Sequence, residues 1–288
     1  MTTSTFDTPA PLHVDVQVGG GRITVNAADT DVTVVTIAPG DPRREGDVAA
    51  AEQTVVTCDG RLLRVEGPRR RGVRSWFGSG PAVVVTIDVP TGSRLDVTGW
   101  SDTRTTGRLG DVVVDSAMGT VVVEDAASAR VTSAMGDVTV AQVDGDVELT
   151  TSAGTVSAGV VGGRGRLKTS AGDVRVGVAR GPVDLRTAAG SIRIGETSTD
   201  VRARTSAGEI HLHRATSGLV RLESSAGAIE IGVPTGTAAW LDLDAGAGRA
   251  SSDLPPADGP AEGELTVEVH ATTRYGDIRV HRSPEVAS

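Results

Sequence analysis

Aromatic residues are nearly missing from this sequence, at 2% of 288 residues, so any core must be aliphatic. Cysteine is scarcer still. Cys58 stands alone, which excludes an internal disulfide and a cysteine-rich metal site. A lone cysteine in a β-rich stretch is read as a small core residue. A basic balance is lacking too. The formal net charge of −9 excludes a general nucleic-acid binder, which needs a basic footprint to displace counterions; a local basic patch stays compatible with it. No apolar run approaches the roughly 18 residues of a membrane helix. Residues 1–12 have neither the basic start nor the apolar stretch of a signal peptide. The expectation is a cytoplasmic protein with no transmembrane segment.

Catalytic signatures are missing as well. There is no His-Glu-x-x-His, no Gly-x-Ser-x-Gly and no phosphate loop ending in Gly-Lys-Ser/Thr. The five histidines, His13, His211, His213, His270 and His281, are dispersed, and His211 falls in an outward column. Asp144-Gly145-Asp146 and the Gly-Asp pairs ending at Asp137, Asp173 and Asp277 bring calcium to mind. The calcium-binding β-roll, however, needs its own nonapeptide, which does not recur here. Short Asp side chains capping turns explain these pairs better. No catalytic residue, metal site or cofactor is expected.

What the chain does have is a repeat. Gly119, Gly136, Gly154, Gly172, Gly190, Gly208, Gly227, Gly248 and Gly276 are spaced by 17, 18, 18, 18, 18, 19, 21 and 28 residues. Two residues after successive glycines stand Val121, Val138, Val156, Val174, Ile192, Ile210 and Ile229. Five before them stand Val114, Val131, Leu149, Leu167, Leu185, Ala203 and Leu222. Period two on both sides of the glycine marks two short strands, each with one buried face. Turn formers such as Gly162-Gly163 and Gly181-Pro182 reverse the chain between glycines. The result is an all-β, single-domain β-solenoid (a β-helix or β-roll) with coils of about eighteen residues. Ser116, Ser133, Thr151, Thr169, Thr187, Thr205 and Ser224, three before the glycine, point inward, where their hydroxyls must bond to corner backbone or the next rung. The residue one before the glycine, mostly alanine, is expected where little volume is available.

Residues 12–95 are β-rich but irregular, and they are expected to begin the solenoid and cap its first end, since an uncovered coil presents open strand edges. Residues 96–282 form the regular solenoid, with a Pro-rich loop inserted near 253–263. Residues 1–11 and 283–288 are expected to be flexible termini.

Outward columns carry the candidate sites. Four before the glycine come Thr150, Lys168, Arg186, Arg204 and Glu223; six before it come Glu148, Arg166, Asp184, Arg202 and Arg221. Six basic side chains (Arg166, Lys168, Arg186, Arg202, Arg204 and Arg221) thus gather around Asp184 on one outer face. Like charges at rung spacing repel modestly, so the face points to an anionic polymer or an acidic protein surface. The alternative is a solvated sheet face, kept soluble by charge. A second candidate is the loop with Arg69, Arg70, Arg71, Arg74, Trp76 and Phe77. It serves either as an interface anchor or as a plug at a solenoid end.

The repeated units at 151–156, 169–176 and 205–212, with the lead-in Val-Thr-Ile-Asp-Val-Pro-Thr-Gly-Ser at 85–93, resemble the bacterial "putative adhesin" family of repeat β-solenoid domains. The resemblance spans residues 12–282. It implies a β-solenoid, no established enzyme activity, no catalytic residues to carry over, and a link to cell-envelope or adhesin-like interactions. The expected function is therefore a non-catalytic binding or scaffold module whose partner is a protein or anionic polymer. One alternative is a self-assembling structural polymer like the bactofilins, with end-to-end self-association. A β-helix carbohydrate-active enzyme is the other, although that chemistry needs clustered acidic or basic groups in a groove.

Overall fold

The computed structural model describes residues 1–68, 80–255, 259–261 and 263–283. Twenty-four strands and one helix occupy them, and the strands pair mostly in parallel. The chain is the all-β solenoid that the repeat implies. It divides into two compact units, Met1–Gln142 and Val143–Ser288.

In the first unit, the strand His13–Ala28 is flanked on both sides. Leu62–Glu66 and Val83–Pro90 pair along one edge, and Arg94–Thr106 along the other. Inward residues Val14, Val16, Ile23, Val25, Val85, Ile87 and Leu95 are fully buried, as period-two alternation demands. The outermost strands turn antiparallel. Val32–Pro39 pairs with Val83–Pro90, and Val55–Cys58 with Leu62–Glu66. Cys58 is half-buried in that hairpin and not a core residue.

Two features here depart from expectation. Residues 1–11 are not simply a flexible lead. Thr2–Asp7 is a strand antiparallel to Val32–Pro39, and the buried Thr8 hydroxyl bonds Thr33 at 2.8 Å. The helix Glu45–Gln53 was not foreseen either. Its anchor is Asp47, whose buried carboxylate accepts the N–H groups of Asp41 and Ala82, each at 3.0 Å.

Inside this unit, the hydroxyls of Ser101, Thr103 and Thr105 are buried without a hydrogen-bond partner among the described residues. Thr103 lies between Ile23 and Val121 of adjacent rungs. An unpaired buried hydroxyl costs about 1–3 kcal/mol. Thr103→Val keeps the shape and removes that group, so stability should rise by about 1 kcal/mol. Thermal unfolding checks this; a melting temperature at or below the parent's would show that the hydroxyl is bonded.

The second unit is the regular solenoid. Strands Val147–Ala153, Gly165–Ala171, Val183–Ala189, Val201–Ala207 and Gly218–Ala226 stack in register on one side. On the other side stack Val156–Val161, Val174–Ala179, Ile192–Thr197, Ile210–Ala215 and Ile229–Val233. Val174, Ile192 and Ile210 are direct rung neighbours and fully buried. So are Leu149, Leu167 and Leu185 on the facing side. The hydroxyls of Thr169, Thr187, Thr205 and Ser224 donate to the corner carbonyls of the preceding rung at 2.9–3.0 Å. That meets the need that their burial creates.

Aspartates staple the turns. The Oδ1 atoms of Asp146, Asp173, Asp200 and Asp277 accept the N–H groups of Arg164, Ser191, Leu219 and Arg249 on adjacent rungs at 2.8–3.0 Å. The Ser191 N–H, then the Arg193 and Arg175 guanidiniums, hold the Asp173 carboxyl below its ordinary pKa. Among the described residues, no group of His, Cys, Asp or Glu is arranged to hold a metal ion.

Two readings of the repeat need correction. The residue before the corner glycine is exposed, not confined: Met118, Met135 and Tyr275 are 44%, 52% and 69% accessible. The last coils, moreover, do not stack in chain order. Gly218–Ala226 pairs with Leu265–Tyr275, and Leu265–Tyr275 pairs in turn with Thr237–Ala245. Ile229–Val233 likewise pairs with Ile278–Arg282, which pairs with Ala250–Ser252. The chain skips one rung, lays down the end coil, and returns to fill the gap. The growing glycine spacings reflect this detour as well as inserted loops.

Candidate anionic-partner face

Strand alternation puts every second side chain of the first-side strands outward, and parallel register turns those positions into columns. One column runs Glu148, Arg166, Asp184, Arg202, Arg221, His270, Asp242; the next runs Thr150, Lys168, Arg186, Arg204, Glu223, Thr272, Asp244. All six basic residues singled out from the sequence stand exposed on this one face.

Their pairing is uneven. Arg186 forks onto Asp184 through Nε–Oδ1 at 2.9 Å and Nη2–Oδ2 at 2.7 Å, which raises the guanidinium pKa. Arg204 reaches Glu223 at 3.4 Å and Arg166 reaches Glu148 at 3.9 Å. Lys168, Arg202 and Arg221 have no carboxylate partner among the described residues. Exposed pairs of this kind contribute only about 0–1 kcal/mol, and three of the six basic side chains stand outside them.

A groove of about 370 Å³ crosses the face, with Arg164, Arg166, Arg202 and Arg221 around Pro182 and Leu219. Arg164 escaped the sequence reading because it follows the Gly162-Gly163 turn, one step outside the two columns that were tabulated. At the far end the face turns acidic. His270 bonds Glu268 at 2.7 Å and Asp242 at 3.1 Å, and these carboxylates, Glu268 first, raise its pKa.

The opposite side holds a second groove, of about 400 Å³, along Gly159, Gly177 and Gly195, with Arg175 and Arg193 on its rim. Both arginines bond the same Asp173, at 2.9 and 3.1 Å, so each has a carboxylate contact. The column Arg175, Arg193, His211 was legible from alternation. His211 is outward, as expected, and bonds Glu209 and Glu230. The loop candidates Arg69, Arg70, Arg71, Arg74, Trp76 and Phe77 lie outside the described residues, as do 284–288 of the expected flexible tail 283–288, whose first residue, Ser283, is buried and donates its N–H to Val233.

A repeat β-solenoid whose corner geometry serves stacking, with charge displayed on its outer face, defines the class of protein. The family model Toastrack DUF4097 matches residues 20–283, and the chain belongs to that family. Crystal structures to which the chain is similar include a "putative adhesin" from Bacteroides fragilis, at 14% identity, with 97% of this chain and 96% of that one covered and a TM-score of 0.38. A "putative adhesin" from Parabacteroides distasonis is 11% identical, with 96% of each chain covered and a TM-score of 0.45. A "putative lipid binding protein" from the same species is 12% identical, with 96% of each chain covered and a TM-score of 0.44. No curated protein matches the chain. Among the described residues, no helix is long and apolar enough to cross a membrane.

Proposed function

We propose that this protein is a non-catalytic binding or scaffold module whose basic outer face engages an acidic polymer or an acidic protein surface. The observation that carries this reading is the stack of Lys168, Arg202 and Arg221 beside the forked Arg186, on strands held in parallel register. A repeat of charge at rung spacing suits a ligand that itself repeats charge, because each added phosphate, sulfate or carboxylate finds an equivalent site. Adhesin-like or envelope interactions belong to this proposal. A cytoplasmic location does too, and cell fractionation that finds the chain at the surface would refute that part.

The test is a triple reversal, Lys168→Glu, Arg186→Glu and Arg204→Glu, assayed with fluorescein-labelled heparin. Affinity should fall at least about tenfold, and the salt dependence should flatten with it. Unchanged affinity and an unchanged salt slope would refute the reading. The alternative of an end-to-end polymer draws on the strand Thr237–Ala245, whose outer edge has no partner among the described residues. Electron micrographs of long filaments would favour it.

A further inference from the structure

The second unit's outer face is basic at one end and acidic at the other. In stacking order its last six strands are Gly165–Ala171, Val183–Ala189, Val201–Ala207, Gly218–Ala226, Leu265–Tyr275 and Thr237–Ala245. The first presents Arg166 and Lys168, preceded by Arg164; the last presents Trp240, Asp242 and Asp244. The chain's detour creates this arrangement, because it sets the acidic strand outermost. Had the coils stacked in chain order, Asp242 and Asp244 would lie one rung closer to the arginines.

We propose that this face binds the same face of a second copy of the chain, about a two-fold axis lying in the face, parallel to the strands and midway between Val201–Ala207 and Gly218–Ala226. This rests on the reading of the basic face as a site for an acidic partner, and it names that partner. Such an axis preserves position along a strand and reverses the order of rungs. Gly165–Ala171 then meets Thr237–Ala245 of the other copy, Val183–Ala189 meets Leu265–Tyr275, and the two central strands meet each other.

The outward residues match across this axis. Asp242 comes opposite Arg166, and Asp244 opposite Lys168. His270 comes opposite Asp184, and Glu223 opposite Arg204. Trp240 is 72% exposed and is the bulkiest apolar group on the face. It falls on Arg164 at the mouth of the groove, where ring and guanidinium attract and the flanking Pro182 offers apolar contact. One like-charge meeting remains, Arg202 opposite Arg221. Beside it Leu219 faces Asp200, and on the other flank Glu223 faces Arg204. A two-fold axis makes every such contact twice, the unfavourable one included, so five favourable meetings stand against one.

The size is adequate. Six rungs at roughly 4.8 Å and about seven residues at roughly 3.3 Å give about 650 Å² per copy, or about 1,300 Å² for the pair, within the range of stable specific interfaces. Charge alignment of this kind fixes register and suppresses other pairings more than it adds raw affinity. The expected dimer is therefore reversible and weakened by salt.

A charge swap tests it. One variant carries Arg166→Asp and Lys168→Asp; the other carries Asp242→Lys and Asp244→Lys. Sedimentation velocity of the unsubstituted full chain should show a concentration-dependent dimer, and each variant alone should dimerise at least about tenfold more weakly. Mixing the two variants should restore the dimer. In the mixed pair the reversed ends meet each other, and so do the two native ends. Recovery on mixing also shows that both variants are folded. A monomeric unsubstituted chain, undiminished dimer in either variant, or a mixture that stays monomeric would each overturn the proposal. Heparin binding separates this from the broader reading, because Asp242→Lys with Asp244→Lys leaves the basic end intact. Heparin retained without any dimer would sink the self-association alone, whereas a swap-dependent dimer without heparin binding would remove the polymer ligand alone.

Discussion

Truncation after residue 263 should unfold the end of the second unit and bring the protein close to its stability limit. The strands removed, Leu265–Tyr275 and Ile278–Arg282, are last in the chain but not last in the stack. They bury Val267, Val269, Ile278 and Val280 to 2% exposure or less. At roughly 1.5–3 kcal/mol for each such side chain, roughly 6–12 kcal/mol of apolar burial is lost. That is comparable with the roughly 5–15 kcal/mol that holds a whole domain together. Thr237–Ala245 loses its one described partner, and Gly218–Ala226 gains a bare edge open to aggregation. Amide exchange should therefore show residues 237–252 unprotected, while 183–207 keep measurable protection. Full protection over 237–252 in the truncated chain would mean that the end coil can dock directly on Gly218–Ala226. Truncation before residue 237 would be milder per residue, since it removes the end coil and the inserted rung together and leaves one clean terminus.

This detour marks the limit of what the residues alone could show. Columns of Val, Ile and Leu at fixed distance from a glycine identify a rung and its inward face, because alternation is local. They say nothing about which rung lies next, since Val269 and Ile278 fit equally well above Val220 and Ile229 or beyond Leu241 and Ala250. Stacking order is a nonlocal choice, settled by loop lengths and end burial. The helix Glu45–Gln53 escaped for a different reason: its buried residues are Asp47, Ala50 and Ala51, which make no apolar stripe. Thr2–Asp7 is polar and threonine-rich, and only the partner strand reveals its role. The basic face was legible because outward positions alternate as regularly as inward ones. Its acidic end was not, for it is assembled from strands whose order the sequence conceals. Gly159, Gly177 and Gly195 were likewise hidden, lying inside the second-side strands, just beyond the apolar columns that were tabulated.

Gly190→Ala should cost at least about 3 kcal/mol, more than the usual strain of a left-handed residue. Gly190 has φ +149°, and a Cβ built there would sit 2.0 Å from the carbonyl oxygen of Gly172 on the rung below. Neither side can yield. The Gly172 oxygen also accepts the Thr187 hydroxyl at 2.9 Å, and the Gly190 N–H donates to Ala207 on the rung above at 2.9 Å. Moving the corner outward would break both bonds and separate Val174 from Ile192 beneath them. Gly236 provides the control within the same unit. Its φ is +77°, yet nothing lies within 4 Å of its Cβ position. Gly236→Ala should therefore cost only about 1 kcal/mol, the backbone contribution alone. Denaturant unfolding of the two variants measures the difference. Equal costs would show that backbone conformation, and not contact between rungs, makes the corner a glycine. A clear excess at Gly190 would show that rung spacing itself sets that requirement, in which case the same substitution at Gly172 or Gly208, where the clash distances are 2.1 and 2.0 Å, should be equally damaging.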